Sequence, residues 1–451
     1  MLMGENPVLF EELFPFKLPP RFSTKALKHE IRITDTTLRD GQQGWRPFTV
    51  EESLKIYELL HELSGPRGVV YSSEMFLYTN KDREIARRIK DLGYDYPKPI
   101  AWIRATFNDL KLVWEAKFDE AVILTSVSDY HIYYKLRLDR RRAEEKFLSV
   151  IEKALKSGLT VRTTLEDITR SDIYGFVIPF VRKVLRLAEK YGSKVIIKVA
   201  DTLGVGLPFE NAPLPRSIPK IIRALIEDAG VPGSQIEFHG HNDFHLVVAN
   251  HLAAWLAGAS LSNCTLLGIG ERAGNCPLEA MALLYVQLKG TTDGMNLKVL
   301  PKIKKFFEEI GYYVPEFQPI VGANAFRTKA GIHIDGLMKN PQVYLPYDPN
   351  AVLGVPYTIA ITPYSGRAGI MYWLTSVFGS NGWISLKNDP RLNKLYEEIL
   401  EIFKTGRTMP LTDIEMFMLV KKHIPEIVEK YRSRLPAHLR GLVENVRTNN
   451  G

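Results

Sequence analysis

Cysteine is scarce in this sequence, which contains Cys264 and Cys276 and no others among its 451 residues. Two thiols with eleven residues between them match neither a disulfide framework nor a thiolate zinc site. We therefore expect both side chains to be reduced, chemically inert and at least partly buried.

Long apolar runs are also missing. No stretch of the sequence approaches the roughly 20 apolar residues that cross a bilayer. The first twenty residues lack the basic start and the apolar run of an export signal. These absences predict a cytoplasmic protein that has no membrane partner.

The charge balance is basic, with 59 Lys and Arg against 51 Asp and Glu and a formal net charge of +8. Zinc fingers, RNA-binding signatures and basic stripes interleaved with aromatic residues, which turn positive charge into nucleic-acid recognition, are all missing. We therefore expect small anionic partners, such as carboxylates and nucleotide-bearing thioesters, and no nucleic acid.

Three regions of the chain differ in their residue patterns. Residues 1–29 are rich in proline and aromatic residues and predict an extended N-terminal arm. Within 30–295, eight short β-rich runs alternate with segments of helical spacing. The runs begin at residues 30, 68, 99, 120, 159, 194, 235 and 261. Residues 296–451 predict a mostly helical C-terminal region with a loop-rich middle.

The alternation predicts the fold class. Eight β-then-α units over roughly 250 residues are typical of an α/β fold, the (β/α)8 TIM barrel. An open doubly wound sheet is the weaker interpretation, because no GxGxxG motif follows the first run. The sequence therefore predicts a TIM-barrel catalytic domain followed by a second, mostly helical domain.

Polar residues follow most of the β-rich runs, at the end where TIM barrels carry their active sites. His239 and His241 are two apart on a strand, so their imidazoles face the same side. Asp40 follows the first strand, which neighbours the last strands once the barrel closes, and offers a hard oxygen ligand. Two imidazoles and one carboxylate leave open positions on a divalent ion, as a catalytic site requires.

Four ordered motifs carry a resemblance to a known family. They are DTTLRDGQQ at 35–43, HGHND at 239–243, GIGERAGN at 268–275 and RTKAGIHIDGLMKNP at 327–341. In this order and spacing they resemble the DRE-TIM metallolyases, and more narrowly the isopropylmalate and homocitrate synthase branch of that family. Longer stretches at 72–84, 123–136, 170–180 and 239–250 are most similar to the Re-face-specific citrate synthases within the branch.

The resemblance implies a metal-dependent Claisen condensation of acetyl-CoA with a 2-oxo acid, in the first place oxaloacetate to citrate. The metal ligands that it implies are Asp40, His239 and His241, with Asn275 completing the metal shell or holding a ligand from outside it. Mn, Mg, Zn and Co all stay open, because ligand type alone does not separate them.

Other roles follow from the same resemblance. Arg39 would stabilise the alkoxide that develops on the substrate, although a structural ion pair is the alternative. His333 would be the base for the acetyl methyl group, or its relay, with Tyr344 and Glu166 nearby. The substrate-binding residues would be Glu74, His131, Arg162, Thr164 and Thr202.

Three residues bear on the choice of 2-oxo acid. Arg162 matches the arginine with which homocitrate synthases bind the distal carboxylate of their substrate, which favours a dicarboxylic acid. The branch commonly has Glu at the position of Gln42, and a Glu after the tyrosine that matches Tyr344, where this chain has Leu345. Homocitrate synthase acting on 2-oxoglutarate and 2-isopropylmalate synthase acting on 2-oxoisovalerate are therefore kept as alternatives.

More remote interpretations are a carbon–carbon lyase similar to 3-hydroxy-3-methylglutaryl-CoA lyase and a catalytically silent metal-binding barrel. The lyases lack a second domain of this kind, and the silent barrel is disfavoured because Arg39, His239, His241 and His333 are all retained. We expect a homodimer without a C-terminal leucine-sensing domain.

Overall fold

The computed structural model describes residues 8–379, 386 and 389–444, which form two compact units. The first unit comprises Pro19–Val314 and the described part of Met1–Leu13. The second comprises Phe14–Leu18 and the described part of Pro315–Gly451. Residues 1–7 of the expected arm and 445–451 of the expected helical region lie outside the described residues.

The core of the first unit is a closed barrel of eight parallel strands, each paired with its neighbours in chain order. They are β1 (Arg32–Asp35), β2 (Val70–Met75), β3 (Lys98–Arg104), β4 (Glu120–Ser126), β5 (Thr160–Glu166), β6 (Val195–Asp201), β7 (Ile236–Gly240) and β8 (Leu261–Cys264). The barrel closes where Arg32 lies opposite Leu261 and Asp35 lies opposite Cys264. The predicted TIM barrel is confirmed.

A helix follows each strand of the barrel. These helices are α1 (Val50–Ser64), α2 (Asn80–Asp91), α3 (Phe107–Glu115), α4 (Arg140–Lys156), α5 (Ile178–Lys190), α6 (Ile218–Arg223), α7 (Val247–Leu256) and α8 (Leu278–Lys289). Thr49 and Thr79 begin α1 and α2 with capping boxes, which satisfy amide groups that a helix start otherwise leaves unpaired. In the described part of the chain, no helix is long and apolar enough to cross a membrane.

A ninth helix, α9 (Leu300–Glu309), also belongs to the first unit. Its Phe307 packs edge-on against Phe48, with 6.2 Å between ring centroids. The unit therefore extends past residue 295, where the sequence placed a domain boundary, because aromatic packing holds this helix to the residues before α1. Within the expected N-terminal arm, the Phe22 amide donates to the Gln287 carbonyl near the end of α8 at 2.9 Å.

The second unit is mostly helical, as the sequence predicts. Its helices are α10 (Gly331–Lys339), α11 (Pro349–Leu353), α12 (Gly366–Phe378), α13 (Pro390–Lys404), α14 (Asp413–His423), α15 (Pro425–Lys430) and α16 (Ala437–Glu444). Two short parallel strands, β9 (Arg327–Thr328) and β10 (Thr358–Ile359), precede α10 and α12. Apolar side chains of α12, α13 and α14 form a shared core.

Charged side chains lie inside the barrel, where an unpaired ion costs several kcal/mol. Arg162 of β5 is fully buried; its Nε donates to Glu120 and its Nη1 donates to Glu237 Oε1 at 2.9 Å. Lys198 of β6 is 2% exposed and donates to the buried Glu74. The barrel interior is therefore a set of paired charges surrounded by apolar strands.

Replacing Arg162 by Met is expected to lower the free energy of unfolding by about 3–5 kcal/mol, because it leaves the buried Glu237 carboxylate without its guanidinium partner. Adding Glu237→Gln should recover part of that loss. Urea unfolding measures both changes. Arg140→Met is the matched control, because Arg140 pairs with Asp129 and Asp172 near the surface and should cost less than about 1 kcal/mol. Equal losses in the two Met variants would contradict the buried pairing.

Candidate active site

A single π-helical turn, Thr37–Gly41, directly follows β1 and carries Arg39 and Asp40. The Thr37 hydroxyl donates to Asp35 Oδ1 at 2.5 Å and accepts from the Leu266 amide at 2.8 Å. The turn is therefore tied both to the end of its own strand and to the loop after β8. This attachment holds Asp40 over the open end of the barrel.

Two glycines allow the first and third sequence motifs to interlock. A Cβ at Gly44 would overlap the backbone of Gly270, and a Cβ at Gly270 would overlap the amide oxygen of Asn275. The first approach excludes a side chain at Gly44, so the two loops contact each other there through backbone, and the second leaves room for the Asn275 amide within its own loop. Their contact brings Asn275 to Asp40, where Asn275 Nδ2 donates to Asp40 Oδ2 at 2.8 Å.

Asp40, His239 and His241 converge at this end of the barrel. Asp40 Oδ2 lies 3.5 Å from His239 Nε2 and 3.8 Å from His241 Nε2. The two Nε2 atoms lie 3.3 Å apart, and all three side chains are buried. One carboxylate oxygen and two imidazole nitrogens facing one point form a donor set that suits a divalent cation.

The charge states of these side chains fit the same interpretation. Burial lowers the pKa of both His239 and His241, which keeps their imidazoles neutral and their lone pairs available. Burial acts to raise the pKa of Asp40, but that pKa is lowered overall, with the charge of Arg39 as the largest lowering cause and the hydrogen bond from Asn275 acting in the same direction. The site therefore presents a carboxylate and two neutral imidazoles, the forms that bind metals.

Asn263 of β8 orients the first histidine from behind. His239 Nδ1 lies 2.8 Å from Asn263 Oδ1, so Nε2 is the nitrogen that faces Asp40. The Asn263 amide donates in turn to Thr34 at 3.0 Å and to Glu74 at 3.3 Å. A hydrogen bond of this kind is the usual device that sets the tautomer and direction of a metal-binding histidine.

A cavity of about 150 Å³ opens beside this cluster. Its lining includes Arg39, Asp40, Trp102, Thr164, Glu166, Lys198, Thr202, His239, His241, Glu271 and Arg272. The Arg39 guanidinium lies 4.3 Å from the ring centroid of Trp102, and its Nη1 lies 3.1 Å from Asp40 Oδ1. Arg39 Nε is buried and has no hydrogen-bond partner in the described part of the chain, which leaves a charged donor for a ligand oxygen.

Thr164, Thr202 and Glu166 all line the cavity, where the sequence expects them. The Thr202 hydroxyl accepts from the Asp167 amide at 2.8 Å. The Thr164 hydroxyl is buried and lacks a partner among the described residues. A polar group in this position is ready to bind a ligand.

Glu166 is surrounded by donors. Its Oε2 lies 3.0 Å from His131 Nδ1 and accepts from Ser126 and Lys135. Burial would raise the pKa of Glu166, but the hydrogen bond from His131 and the charge of Lys135 outweigh burial and lower it to about 2. Glu166 is therefore ionised at neutral pH, and His131 acts on it from outside the cavity lining.

Glu74 and Arg162 are not brought to the cavity wall. Glu74 accepts from Thr36 at 2.9 Å and from Lys198, and Arg162 is enclosed by its two glutamate partners. Substrate contact by these two side chains stays a prediction.

His333 and Tyr344 lie in the second unit. Their ring centroids are 4.2 Å apart, with His333 on α10 and Tyr344 after the turn Pro341–Val343. Both side chains reach solvent within that unit, and Tyr344 is 41% exposed. The structure thus pairs two residues that the sequence motif only implied.

Trp102 and Lys198 line the cavity but were not singled out from the sequence. A signal for Lys198 was present, because it interrupts the apolar run VIIKVA of β6 and alternates with Ala200 and Thr202 on the same side of the strand. A charged residue inside a buried strand indicates a function or a buried partner. Trp102 gave no such signal, since aromatic residues are common in strands.

Comparison with known proteins places this geometry in a family. The family model described as HMGL-like matches residues 30–307. The chain belongs to the HMGL-like family. A second model, described as homocitrate synthase post-HMGL domain-like, matches residues 320–377. This HMGL-like chain is 41% identical over 437 residues to a citrate (Re)-synthase of Clostridium kluyveri, covering 95% of this chain and 96% of that protein.

Two further comparisons agree with this assignment. A citrate (Re)-synthase of Syntrophus aciditrophicus is 41% identical over 431 residues, which cover 94% of this chain and 68% of that protein. The crystal structure of hydroxymethylglutaryl-CoA lyase from Pseudomonas aeruginosa matches with a TM-score of 0.51 and 18% identity, covering 64% of this chain and 95% of that one. The structural match supports the fold alone, whereas the HMGL-like synthases imply a divalent metal and acetyl-CoA as co-substrate.

Alanine at both His239 and His241 is expected to weaken the binding of a divalent cation by at least about 100-fold, because it removes two of the three converging donors. Isothermal titration calorimetry with Co²⁺ or Mn²⁺ on metal-free protein measures this effect. His245→Ala is the control, since His245 is an exposed histidine in the same loop. Unchanged binding in the double variant would place the metal elsewhere.

Proposed function

We propose that this chain catalyses the condensation of acetyl-CoA with oxaloacetate and water to form citrate and CoA. One observation carries the proposal: Asp40, His239 and His241 converge beside Arg39 in a chain that is 41% identical, over 95% of its length, to a citrate (Re)-synthase. Homocitrate synthase and 2-isopropylmalate synthase activities are the alternatives, since they share this chemistry at the same donor set.

The keto group of the oxo acid and the carboxylate beside it have candidate partners in the cavity. Asp40, His239 and His241 would hold a divalent ion of the Mn, Mg, Zn or Co group, which polarises a 2-oxo acid carbonyl when bound. Arg39 has a free Nε and a permanent charge beside Asp40, which suits the stabilisation of negative charge developing on the carbonyl oxygen. Thr202 supplies a hydroxyl to the adjacent carboxylate.

The acetyl methyl group must lose a proton before it attacks. We assign this step to His333, with Tyr344 in ring contact to orient it. Glu166 is ionised and fixed by its donors Ser126 and Lys135, so its role is to hold negative charge at a constant position in the cavity rather than to accept a proton. Hydrolysis of the resulting citryl thioester releases CoA.

Two further expectations, on location and on oligomeric state, accompany this proposal. The chain is proposed to act as a cytoplasmic enzyme and as a homodimer. Analytical ultracentrifugation at the concentrations used for catalysis measures the oligomeric state.

Metal-loaded protein should release CoA from acetyl-CoA fastest with oxaloacetate, compared with 2-oxoglutarate, 2-oxoisovalerate and pyruvate offered separately. Thiol release measures the rate, mass spectrometry identifies citrate, and EDTA should abolish turnover until a divalent ion is restored. Fastest turnover with another of the four acids would make that acid the substrate and leave the reaction type unchanged. If none of the four releases thiol, the condensation itself is wrong, and cleavage of 3-hydroxy-3-methylglutaryl-CoA becomes the reaction to assay.

His333→Gln is expected to lower kcat by about 10²–10⁴-fold while the KM for the oxo acid stays within threefold, because the variant loses proton abstraction and not oxo-acid binding. Steady-state kinetics measures kcat and KM, and exchange of the acetyl methyl protons with D₂O measures proton abstraction. His438→Ala serves as the control, since His438 lies in the same unit and is 55% exposed. A selective rise in KM for the oxo acid would instead show that His333 binds this substrate.

A further inference from the structure

One cation faces the interior end of the cavity. Lys198 lies on β6 between buried neighbours and is 2% exposed, yet it belongs to the cavity lining. Ala200 and Thr202 follow it at alternate positions and line the same cavity. Lys198 therefore lies deeper than Thr202, on the side of the cavity that points into the barrel.

Arg162 lies one step deeper still. In the strand register Thr164 is opposite Lys198, whereas Arg162 is opposite Ile196, two residues earlier on β6. The Arg162 Nε and Nη1 atoms pair with Glu120 and Glu237, while its Nη2 is buried without a hydrogen-bond partner among the described residues. Its charge is thus balanced by two carboxylates in a layer below the cavity.

Lys198 differs from Arg162 because it lines the cavity and has donors to spare there. An ammonium group has three donors, and in the described part of the chain it hydrogen-bonds one acceptor, Glu74 Oε1. The next carboxylate oxygen, Glu237 Oε2, lies 3.9 Å away. Opposite Lys198 in the register, the Thr164 hydroxyl is buried without a hydrogen-bond partner among the residues that the structure describes. An ammonium with spare donors and an unpaired hydroxyl form a receptor for a carboxylate.

The two ends of the site are connected. Lys198 donates to Glu74, which accepts from Asn263, and Asn263 orients His239. A ligand bound between the histidines and Lys198 would therefore contact a cation-binding cluster at one end and a fixed positive charge at the other. A 2-oxo acid with a second carboxylate has this distribution of groups, and a monocarboxylic oxo acid does not.

We propose that Lys198, assisted by Thr164, binds the second carboxylate of the substrate and so selects a dicarboxylic 2-oxo acid. This inference rests on the proposed function for the identity of the substrate, and it gives Lys198 the role that the sequence assigned to Arg162.

The test compares Lys198→Met with a double variant, Lys198→Met with Glu74→Gln, which removes the carboxylate that the single change leaves unpaired. For the double variant, kcat/KM with oxaloacetate should fall on the order of 100-fold, mainly through KM. Inhibition by malate should weaken by a similar factor, while inhibition by lactate, which lacks the second carboxylate, should change less than threefold. Lys183→Met is the matched control, because Lys183 pairs with Glu144 on the helices outside the barrel.

Malate binding that is unchanged in the double variant, or malate and lactate weakened equally, would overturn the role of Lys198. Calorimetric titration of the metal-loaded protein with malate reports this role without turnover. If the unmodified protein does not turn over oxaloacetate but binds malate through Lys198, the proposed reaction fails and the carboxylate receptor stands. If it turns over oxaloacetate and Lys198 proves dispensable, the reaction stands and the receptor fails.

Discussion

The structure depends on the pairing of charges inside the barrel. A buried ion is tolerated when a partner and further hydrogen bonds compensate its loss of water, and here each interior cation has carboxylate neighbours. Arg162 is balanced by Glu120 and Glu237, and Lys198 is balanced by Glu74. Because Glu74 also accepts from Asn263, which orients His239, the geometry of the cation-binding cluster follows from this interior pairing. Stability and chemistry therefore share the same side chains.

The loops add a second constraint at the mouth of the barrel. Asp40 reaches the histidines because the turn after β1 is tied to the loop after β8 through Thr37, and because Gly44 and Gly270 let the two backbones touch. The Arg272 guanidinium then pairs with Asp243 at 2.8 Å, which joins the second and third motifs. Asp40 and Asn275, which are 235 positions apart in the chain, are thus held together by closure of the barrel and by these loop contacts.

Much of the fold was predictable, since eight β-rich runs with helical spacing between them leave few arrangements other than a barrel. The convergence of His239 and His241 followed from their spacing on one strand. Alternation shows which residues face the barrel interior, but the depth of each residue depends on strand stagger, which sequence patterns do not contain. For that reason the sequence did not show that Lys198 lines the cavity or that Arg162 lies outside its lining, and substrate contact by Arg162 stays a prediction. The place of α9 depended in the same way on aromatic contacts distant in sequence.

This difference in depth explains why the motifs predict the reaction class better than the substrate. The motif residues Arg39, Asp40, His239 and His241 line the cavity at the open end, where under the proposed function any 2-oxo acid would place its carbonyl and adjacent carboxylate. Lys198 lies on β6, further in than Thr202, which directly follows that strand, and under the role proposed for it a change at this one position would alter the charge that faces the rest of the substrate. A hydrogen-bonding site discriminates more strongly than an apolar pocket does, because the wrong ligand leaves buried polar groups unpaired. The proposed role of Lys198 therefore makes substrate choice in this barrel depend on its interior charges.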